Sequence, residues 1–311
     1  MQSKKIIFSV FTATYNRGHL LRNVYNSLLA QHFQDFEWVV INDGSDDDTD
    51  DIMQSIIDEK KLAILYQRQD NGGKHKAWMA AMRLFRGRYI VTADDDDVLL
   101  PTALQVYSKY WEELEKSPNY NSFWEIRTRC AKDDGTLVGK QLPKPFFDSD
   151  YNTLNYKYKF DFCEMNACRK LTVLKELAYV PQDFPFCDKV SNFPEKIRWS
   201  RASRKYLTRF VPDITRIYLT TEDSLASANF GRKRSVKKTY NTLVGAIFEL
   251  NESRDLMLKY NVRKYLFTIM TIRYTSLCLH ENAKKFIMCK SDKYIYSLLY
   301  LPMKLVQIIR K

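Results

Sequence analysis

Arg88-Tyr89-Ile90-Val91-Thr92-Ala93-Asp94-Asp95-Asp96-Asp97-Val98-Leu99-Leu100-Pro101 is the stretch on which the reading of the chain turns. A short apolar, partly β-branched run stops at four carboxylates, and a proline follows. In an open α/β sheet, ligands sit at the carboxyl ends of the strands, where such a cluster would project. Adjacent carboxylates repel one another. Gathering any of them in a cleft needs a cation, because buried charges must be paired or bound to metal. Hard oxygen ligands in small number suit Mg²⁺ or Mn²⁺, which keep waters and complete their shell with substrate phosphates. An isolated acidic run is more often a solvated turn; its place straight after a strand favours a site here.

Outward from this stretch the pattern repeats. Residues 5–12 read as a buried strand running into the polar loop Ala13-Thr14-Tyr15-Asn16-Arg17-Gly18 and an amphipathic helix carrying Leu20, Leu21, Val24 and Leu28. A second strand, Phe36 to Asn42, ends at Asp43-Gly44-Ser45 and a capped helix start. Ala63 to Gln67 form a third strand, and the turn Asn71-Gly72-Gly73 opens a helix from Lys74 to Phe85. Strands alternating with helices over about the first hundred residues indicate a parallel α/β sheet. A helix from Pro101 to Glu115, a strand over 122–130 and a turn at Asp133-Asp134-Gly135 follow. Residues 141–160 read as loop, 161–206 as short helices among aromatic loops, and the chain from about 236 onward as helical.

The 311 residues carry a net charge of +12, unevenly spread. Residues 231–311 hold 17 Lys/Arg against 5 Asp/Glu, while the remainder has 32 of each. Six cysteines form no CxxC pair and lie near none of the four histidines in zinc-like spacing, so reduced thiols are expected. No apolar stretch reaches the length of a membrane-spanning helix, and no signal sequence is read ahead of the first strand.

Three further features bear on chemistry. Asp43 ends a strand on the same sheet edge as Asp94 to Asp97; Asp46 to Asp48 can cap the following helix, leaving Asp43 to accept from a ligand ring. Asn71-Gly72-Gly73-Lys74-His75-Lys76 puts two lysines at a helix start, either an anion site or a solvated turn, and it is neither a Walker loop nor a GxGxxG. Glu195, in Asn192-Phe193-Pro194-Glu195-Lys196-Ile197-Arg198-Trp199, is a carboxylate between aromatic residues, fit for a general base or for an ordinary helix start.

Together these elements resemble the inverting nucleotide-sugar glycosyltransferases of family 2, with the GT-A fold. The matching order is Phe8 to Arg17, then Ile41-Asn42-Asp43-Gly44-Ser45 as the DDGS element, Asn71 to His75 as an NGGKH-type element, and Asp94 to Asp97 with Pro101 as the DxD form. The resemblance is specific over 5–103 and weaker around Phe193-Pro194-Glu195, Trp199 and Arg201. Asn42 stands where Asp is usual, and Ala13 where proline is common. It implies an α/β fold with a mixed, mostly parallel sheet flanked by helices and a helical C-terminal extension. The implied organisation is a catalytic domain over 1–230, nucleotide-sugar-binding in 1–103 and acceptor-binding in 104–230, followed by a basic helical extension over 231–311.

Carried over by residue, Asp43 would contact the base, and Thr12, Thr14 and Tyr15 would line its pocket. Lys74 and His75 would lie near the ribose or diphosphate, and Asp94 and Asp95 near the ribose and metal. Asp96 would ligate Mn²⁺ or Mg²⁺, and Glu195 would deprotonate the acceptor. Asp161, Glu164 and Trp199 would hold an acceptor sugar, with Asp161, Glu164 and Asp188 as rival bases. The expected donor is a UDP-sugar and the acceptor a glycan or lipid-linked saccharide.

A scaffold protein that keeps the fold without catalysis is the alternative. A nucleic-acid partner is not expected, since no DNA- or RNA-binding motif accompanies the basic charge. A sugar nucleotidyltransferase should carry a glycine-rich basic signature near its start, which is missing. The tail Tyr294 to Lys311 is apolar, aromatic and ends in cations. It reads either as a packed terminal helix or as an interfacial segment on anionic lipid, which would make this a cytoplasmic protein peripheral to the inner face of the cell membrane.

Overall fold

Apolar runs with β-branched and aromatic residues become strands here because both of their faces are covered. In the computed structural model, which describes residues 6–139, 142, 145–160, 164–177, 185–186, 189–190, 196–218 and 235–309, the chain forms two compact units. One comprises Met1–Ser149, Asp161–Leu177 and Lys205–Phe230; the other Asp150–Phe160, Ala178–Arg204 and Gly231–Lys311.

The first unit is built on β1 (Phe8–Thr14), β2 (Phe36–Asn42), β3 (Ile64–Arg68) and β4 (Tyr89–Thr92), parallel in the order β3-β2-β1-β4. The crossovers are α1 (Gly18–Leu29), α2 (Thr49–Asp58) and α3 (Lys74–Ala81). Leu21 and Val24 of α1, Met53 of α2 and Trp111 of α4 (Ala103–Glu115) bury against one sheet face, where Trp111 stacks on Tyr89 with centroids 4.4 Å apart. On the other face Trp78 and Phe85 meet Phe11 edge-on. Parallel strands put the ends of β1, β2 and β4 on one edge of the sheet.

β5 (Asp97–Leu99), β6 (Phe123–Ala131), β7 (Phe147–Ser149), β8 (Met165–Lys170) and β9 (Leu207–Tyr218) complete the nine strands described. The order continues β4-β8-β6-β9-β5, with β7 beside β9; β8 is antiparallel to both neighbours, whereas β6 and β9 are parallel. This is the expected mixed α/β sheet flanked by helices, with a helical C-terminal region. It differs from expectation after residue 141. The segment read as loop carries β7 and a π-helical turn, Thr153–Lys157, and the segment read as helices and loops carries β8 beside α5 (Leu171–Glu176) and α6 (Lys196–Ala202). β8 and β9 lack an apolar signature because they bury charges: Arg169, Lys170 and Arg216 are all buried. Pro212 lies inside β9 where the β6–β9 register shifts between the Arg127 and Arg129 pairings, the kind of bulge that tolerates proline in a strand.

In the second unit, α7 (Val236–Tyr260), α8 (Val262–Leu279), α9 (Lys290–Leu298) and α10 (Tyr300–Ile309) enclose a core of Leu243, Ile247, Leu250, Ile269 and Ile272. Asn261 turns α7 into α8 and caps the latter, its Oδ1 accepting from Lys264 N at 3.1 Å. Ser200 of α6 exchanges hydrogen bonds with Asn152 and Ser253. No described helix is long and apolar enough to cross a membrane.

Glu125 is a costly burial in the first unit. It is almost fully buried and accepts from Arg127 Nε and Arg169 Nε, both at 2.8 Å, and from Thr208 Oγ1 at 3.1 Å. Burial pushes its carboxyl up, yet Arg127 and Arg169 hold it below the usual range. Removing the carboxylate takes the shared counter-charge from two buried guanidiniums, so Glu125→Ala should lose about 3–5 kcal/mol in urea unfolding. Because the folded pKa is depressed, the contribution is present above the unfolded value, about 4.3, and is lost as pH falls through the folded one. The stability gap between wild type and Glu125→Gln should therefore close in acid. A gap that stays constant between pH 7 and pH 3 would contradict the ion-pair account.

Candidate active site

The edge formed by the ends of β1, β2 and β4 gathers three loops. Asp43, the residue after β2, donates its N–H to the carbonyl of Thr14 at 2.9 Å, tying β2 to the end of β1. Its side chain is not the free acceptor expected from the sequence. Oδ1 accepts from Gln69 Nε2 at 2.6 Å and Gly72 N at 3.0 Å, and Oδ2 from Gly73 N at 2.6 Å. Asp43 thereby moulds the Asn71-Gly72-Gly73 loop, and an ionised carboxylate with about four acceptor positions retains one. Gly44 makes the approach feasible: its φ is +81°, and a Cβ there would come within 2.8 Å of Asn71 N.

Asn42, where the family pattern has Asp, is fully buried. Its Nδ2 donates to Asp50 Oδ1 and to Tyr66 Oη, both at 2.9 Å, while Oδ1 accepts from Ser45 N. A carboxylate in its place would face Asp50 with no proton to give. The departure from the pattern thus has a local cause. Across the loop Ser45 Oγ accepts from Asn16 N at 2.9 Å, and Asn16 Oδ1 accepts from Asp46 N at 2.7 Å, with Asn16 in the left-handed region (φ 54°) that asparagine tolerates.

The four aspartates are divided among three cations. Lys74, at the first position of α3, donates to both oxygens of Asp94 at 2.7 and 2.8 Å. Arg17 Nη1 bridges Asp95 Oδ1 at 3.0 Å and Asp96 Oδ2 at 3.1 Å. Arg216 of β9 donates to Asp97 Oδ2 at 2.7 Å and to Glu164 Oε1 at 2.6 Å. Burial pushes the Asp94 carboxyl up, but Lys74, Arg216 and Arg17 hold it below the ordinary value. For Asp95, burial prevails over Arg17, and with Asp96 and Asp94 adding repulsion its pKa rises to about 6. Burial likewise pushes Asp97 up, against the pull of Arg216.

The other expected site residues are placed as follows. Thr14 is buried beside Asp43, and its Oγ1 has no hydrogen-bond partner; Tyr15 is exposed at the rim. Thr12 is fully buried and uses its hydroxyl within the scaffold, donating to Ala93 O at 2.7 Å and accepting from Trp38 Nε1 at 3.0 Å. His75 is buried at the start of α3; burial, with Lys76 nearby, lowers its pKa and keeps the imidazole neutral despite Asp43. Glu164 joins the acid cluster through Arg216. Trp199 belongs to the second unit, where it meets Tyr151 edge-on at 5.5 Å. Glu195, Asp161 and Asp188 lie outside the described residues. Sequence reasoning missed Arg17 and Arg216. Arg17 stands inside the quoted opening motif and could have been matched to the acidic run by charge alone; Arg216 sits on a strand with no readable signal.

For a divalent cation the donor chemistry fits within limits. Among the described residues, no three His, Cys, Asp or Glu side chains converge as a closed site. Among the four aspartates, Asp96 combines partial exposure, 22% of its side chain, with a hydrogen bond to one oxygen only. One such carboxylate suits a hard cation that keeps waters and takes its remaining oxygens from a diphosphate.

Comparison with known proteins agrees with this geometry. Residues 9–173 match the model for "Glycosyl transferase family 2". An Escherichia coli protein named UDP-Glc:alpha-D-GlcNAc-diphosphoundecaprenol beta-1,3-glucosyltransferase is 24% identical over 183 residues, 59% of this chain and 66% of that one. A Campylobacter jejuni protein named GalNAc(5)-diNAcBac-PP-undecaprenol beta-1,3-glucosyltransferase is 34% identical over 159 residues, 50% of this chain and 49% of that one. Matches to uncharacterised Rickettsia glycosyltransferases span only 20–30% of those proteins' length. Among solved structures, S. aureus TarS residues 1–349 in complex with UDP-GlcNAc aligns with a TM-score of 0.57 at 17% identity, covering 97% of this chain and 92% of that one. A Pyrobaculum calidifontis mannosyltransferase in complex with GDP-Man and Mn²⁺ aligns with a TM-score of 0.56 at 14% identity, covering 97% and 83%. With more than half of its length matched by the family model and its motifs gathered on one sheet edge, the chain belongs to glycosyltransferase family 2.

Proposed function

We propose that the protein transfers a sugar, with inversion, from a nucleoside-diphosphate sugar to a glycan or lipid-linked saccharide. The observation that carries this reading is the convergence of Asp43, Lys74 and Asp94 to Asp97, with Arg17, at the carboxyl ends of parallel strands. A UDP-sugar donor is supported by the UDP-Glc in the name of one relative and by the UDP-GlcNAc bound in one structural neighbour. A lipid-linked acceptor is supported by the undecaprenol-linked acceptors in the names of two relatives. The Mn²⁺ beside GDP-Man in another neighbour supports a metal-dependent reaction.

In this reading Asp43 accepts from the base through its remaining acceptor position, and the Thr14 hydroxyl finds its partner on the nucleotide. Lys74 faces the diphosphate from the start of α3, where helix amides favour negative charge. Asp96 would hold Mn²⁺ or Mg²⁺, which as a Lewis acid would neutralise charge on the departing diphosphate. Glu195 takes the proton of the acceptor hydroxyl from the opposite face of the sugar, so one displacement inverts the anomeric centre. The neutral His75 leaves the charge balance of the site unchanged. Trp199, Glu164 and Asp161 are assigned to the acceptor.

A panel of nucleotide-sugars with Mn²⁺ or Mg²⁺, scored for release of nucleoside diphosphate, tests the proposal; release from none of them would overturn it. Asp96→Ala should abolish transfer and metal-dependent donor binding while thermal unfolding stays near wild type. Wild-type turnover undiminished by EDTA would refute the metal requirement. Glu195→Gln should lower kcat by about 10²–10⁴-fold with little change in donor affinity. Near-normal turnover in that variant, with loss in Asp161→Asn, Glu164→Gln or Asp188→Asn instead, would move the base to the residue that fails.

A further inference from the structure

The last two helices leave an apolar row in water. Tyr294, Leu298, Leu301, Leu305 and Ile308 follow one another at intervals of four, three, four and three residues, and each is 61–70% exposed. A lone exposed leucine is ordinary, but a continuous row of large apolar side chains marks an interaction surface. The row is not the face by which these helices pack. Tyr296, Met303 and Gln307 are buried, and Gln307 Nε2 donates to the carbonyl of Leu277 in α8 at 3.1 Å. The Arg273 guanidinium of α8 lies 4.6 Å from the ring centroids of both Tyr296 and Tyr300. One face of α10 is thus fixed to α8, and the opposite face is exposed among the described residues.

Charge identifies what covers it. All five carboxylates of residues 231–311 are already in ion pairs: Glu249 with Lys196 and Lys264, Glu252 with Arg201, Asp255 with Arg204, Glu281 with Lys189, and Asp292 with Arg254. Two of these partners, Lys264 and Arg254, belong to the 17 basic residues of the same region, which with its five carboxylates keeps a net charge of +12. A second copy seated on the row would bring two such surpluses together. An anionic surface is attracted instead, each nearby Lys or Arg strengthening the association about fivefold.

We propose that α9 and α10 dock this face flat on an anionic lipid bilayer, with Leu301, Leu305 and Ile308 entering the acyl boundary. Tyr294 then sits at headgroup level, where amphipathic rings are favoured, and Lys290 and Lys293 of the same helix supply positive charge for lipid phosphates. Since no described helix can span a bilayer, the segment lies in the interface plane. The inference stands independently of the proposed sugar transfer.

The test is flotation of the full chain with vesicles of phosphatidylcholine alone and of phosphatidylcholine with one third phosphatidylglycerol. Partition should be at least tenfold stronger onto the anionic vesicles and should weaken with added salt. A triple variant, Leu301→Ser with Leu305→Ser and Ile308→Ser, should lose at least tenfold in partition while its far-ultraviolet circular dichroism and unfolding midpoint match wild type. Leu305→Trp, which adds no polarity, should keep partition, and the added fluorescence should be quenched by brominated anionic lipid. Equal partition onto both vesicles, none onto either, or a triple variant that binds like wild type would overturn the proposal. So would a wild-type dimer in sedimentation that becomes monomeric in the triple variant while neither form binds vesicles; the row would then be a self-association surface.

Discussion

Four consecutive carboxylates at the end of a buried strand cannot stand without cations, and that constraint decides which parts of the first unit must meet. Lys74 comes from the start of α3, Arg17 from the loop between β1 and α1, and Arg216 from β9 at the far side of the sheet. Each guanidinium serves two carboxylates, which the planar, multiply donating group can do and an ammonium does less well. The acid cluster therefore fastens three separately folded pieces to one sheet edge. A site built this way is positioned by long-range pairs, not by its own loop.

The same logic governs the neighbouring polar positions. Asn42, Asp50, Tyr66 and Ser45 form one satisfied network because Asn42 can give protons to Asp50 and Tyr66 while accepting from Ser45. Asp43 satisfies two backbone amides of the glycine loop that would otherwise be left at a helix start. Glu125 does for the sheet interior what Arg17 does for its edge, neutralising charges that β6 and β8 carry inward. These polar residues are permitted inside the sheet because partners answer them.

That pattern also explains what was legible in the sequence. The first hundred residues bury apolar side chains, so period and turn residues located β1 to β4 and α1 to α3 within a few positions. Asp43, Asp94 to Asp97 and Lys74 could be read as neighbours on one sheet edge because they stand at strand and helix ends. β8 and β9 escaped because six of the ten residues they bury are polar or charged: Met165-Asn166-Ala167-Cys168-Arg169-Lys170 has no strand period, and Pro212 interrupts β9. Arg216 could not be found from a strand that was not seen, and a pairing 119 residues away leaves no local trace. The free state of Asp43 was misjudged for a related reason, since its partners Gln69, Gly72 and Gly73 lie a loop away in sequence.

Charge balance at the site carries the argument one step further. Among the described residues Asp94, Asp95, Asp96, Asp97 and Glu164 pair with Arg17, Lys74 and Arg216, five carboxylates with three cations. Burial eases the imbalance by pushing Asp95 up to about 6, which leaves that carboxyl largely ionised at neutral pH. The edge thus keeps an excess of negative charge before any donor arrives. A diphosphate brings more of the same sign, and Lys74, already bonded to both oxygens of Asp94, can neutralise only part of it. A divalent cation, which Asp96 would hold, would supply the missing positive charge. Donor and cation are then expected to bind as a pair, each making the site acceptable to the other.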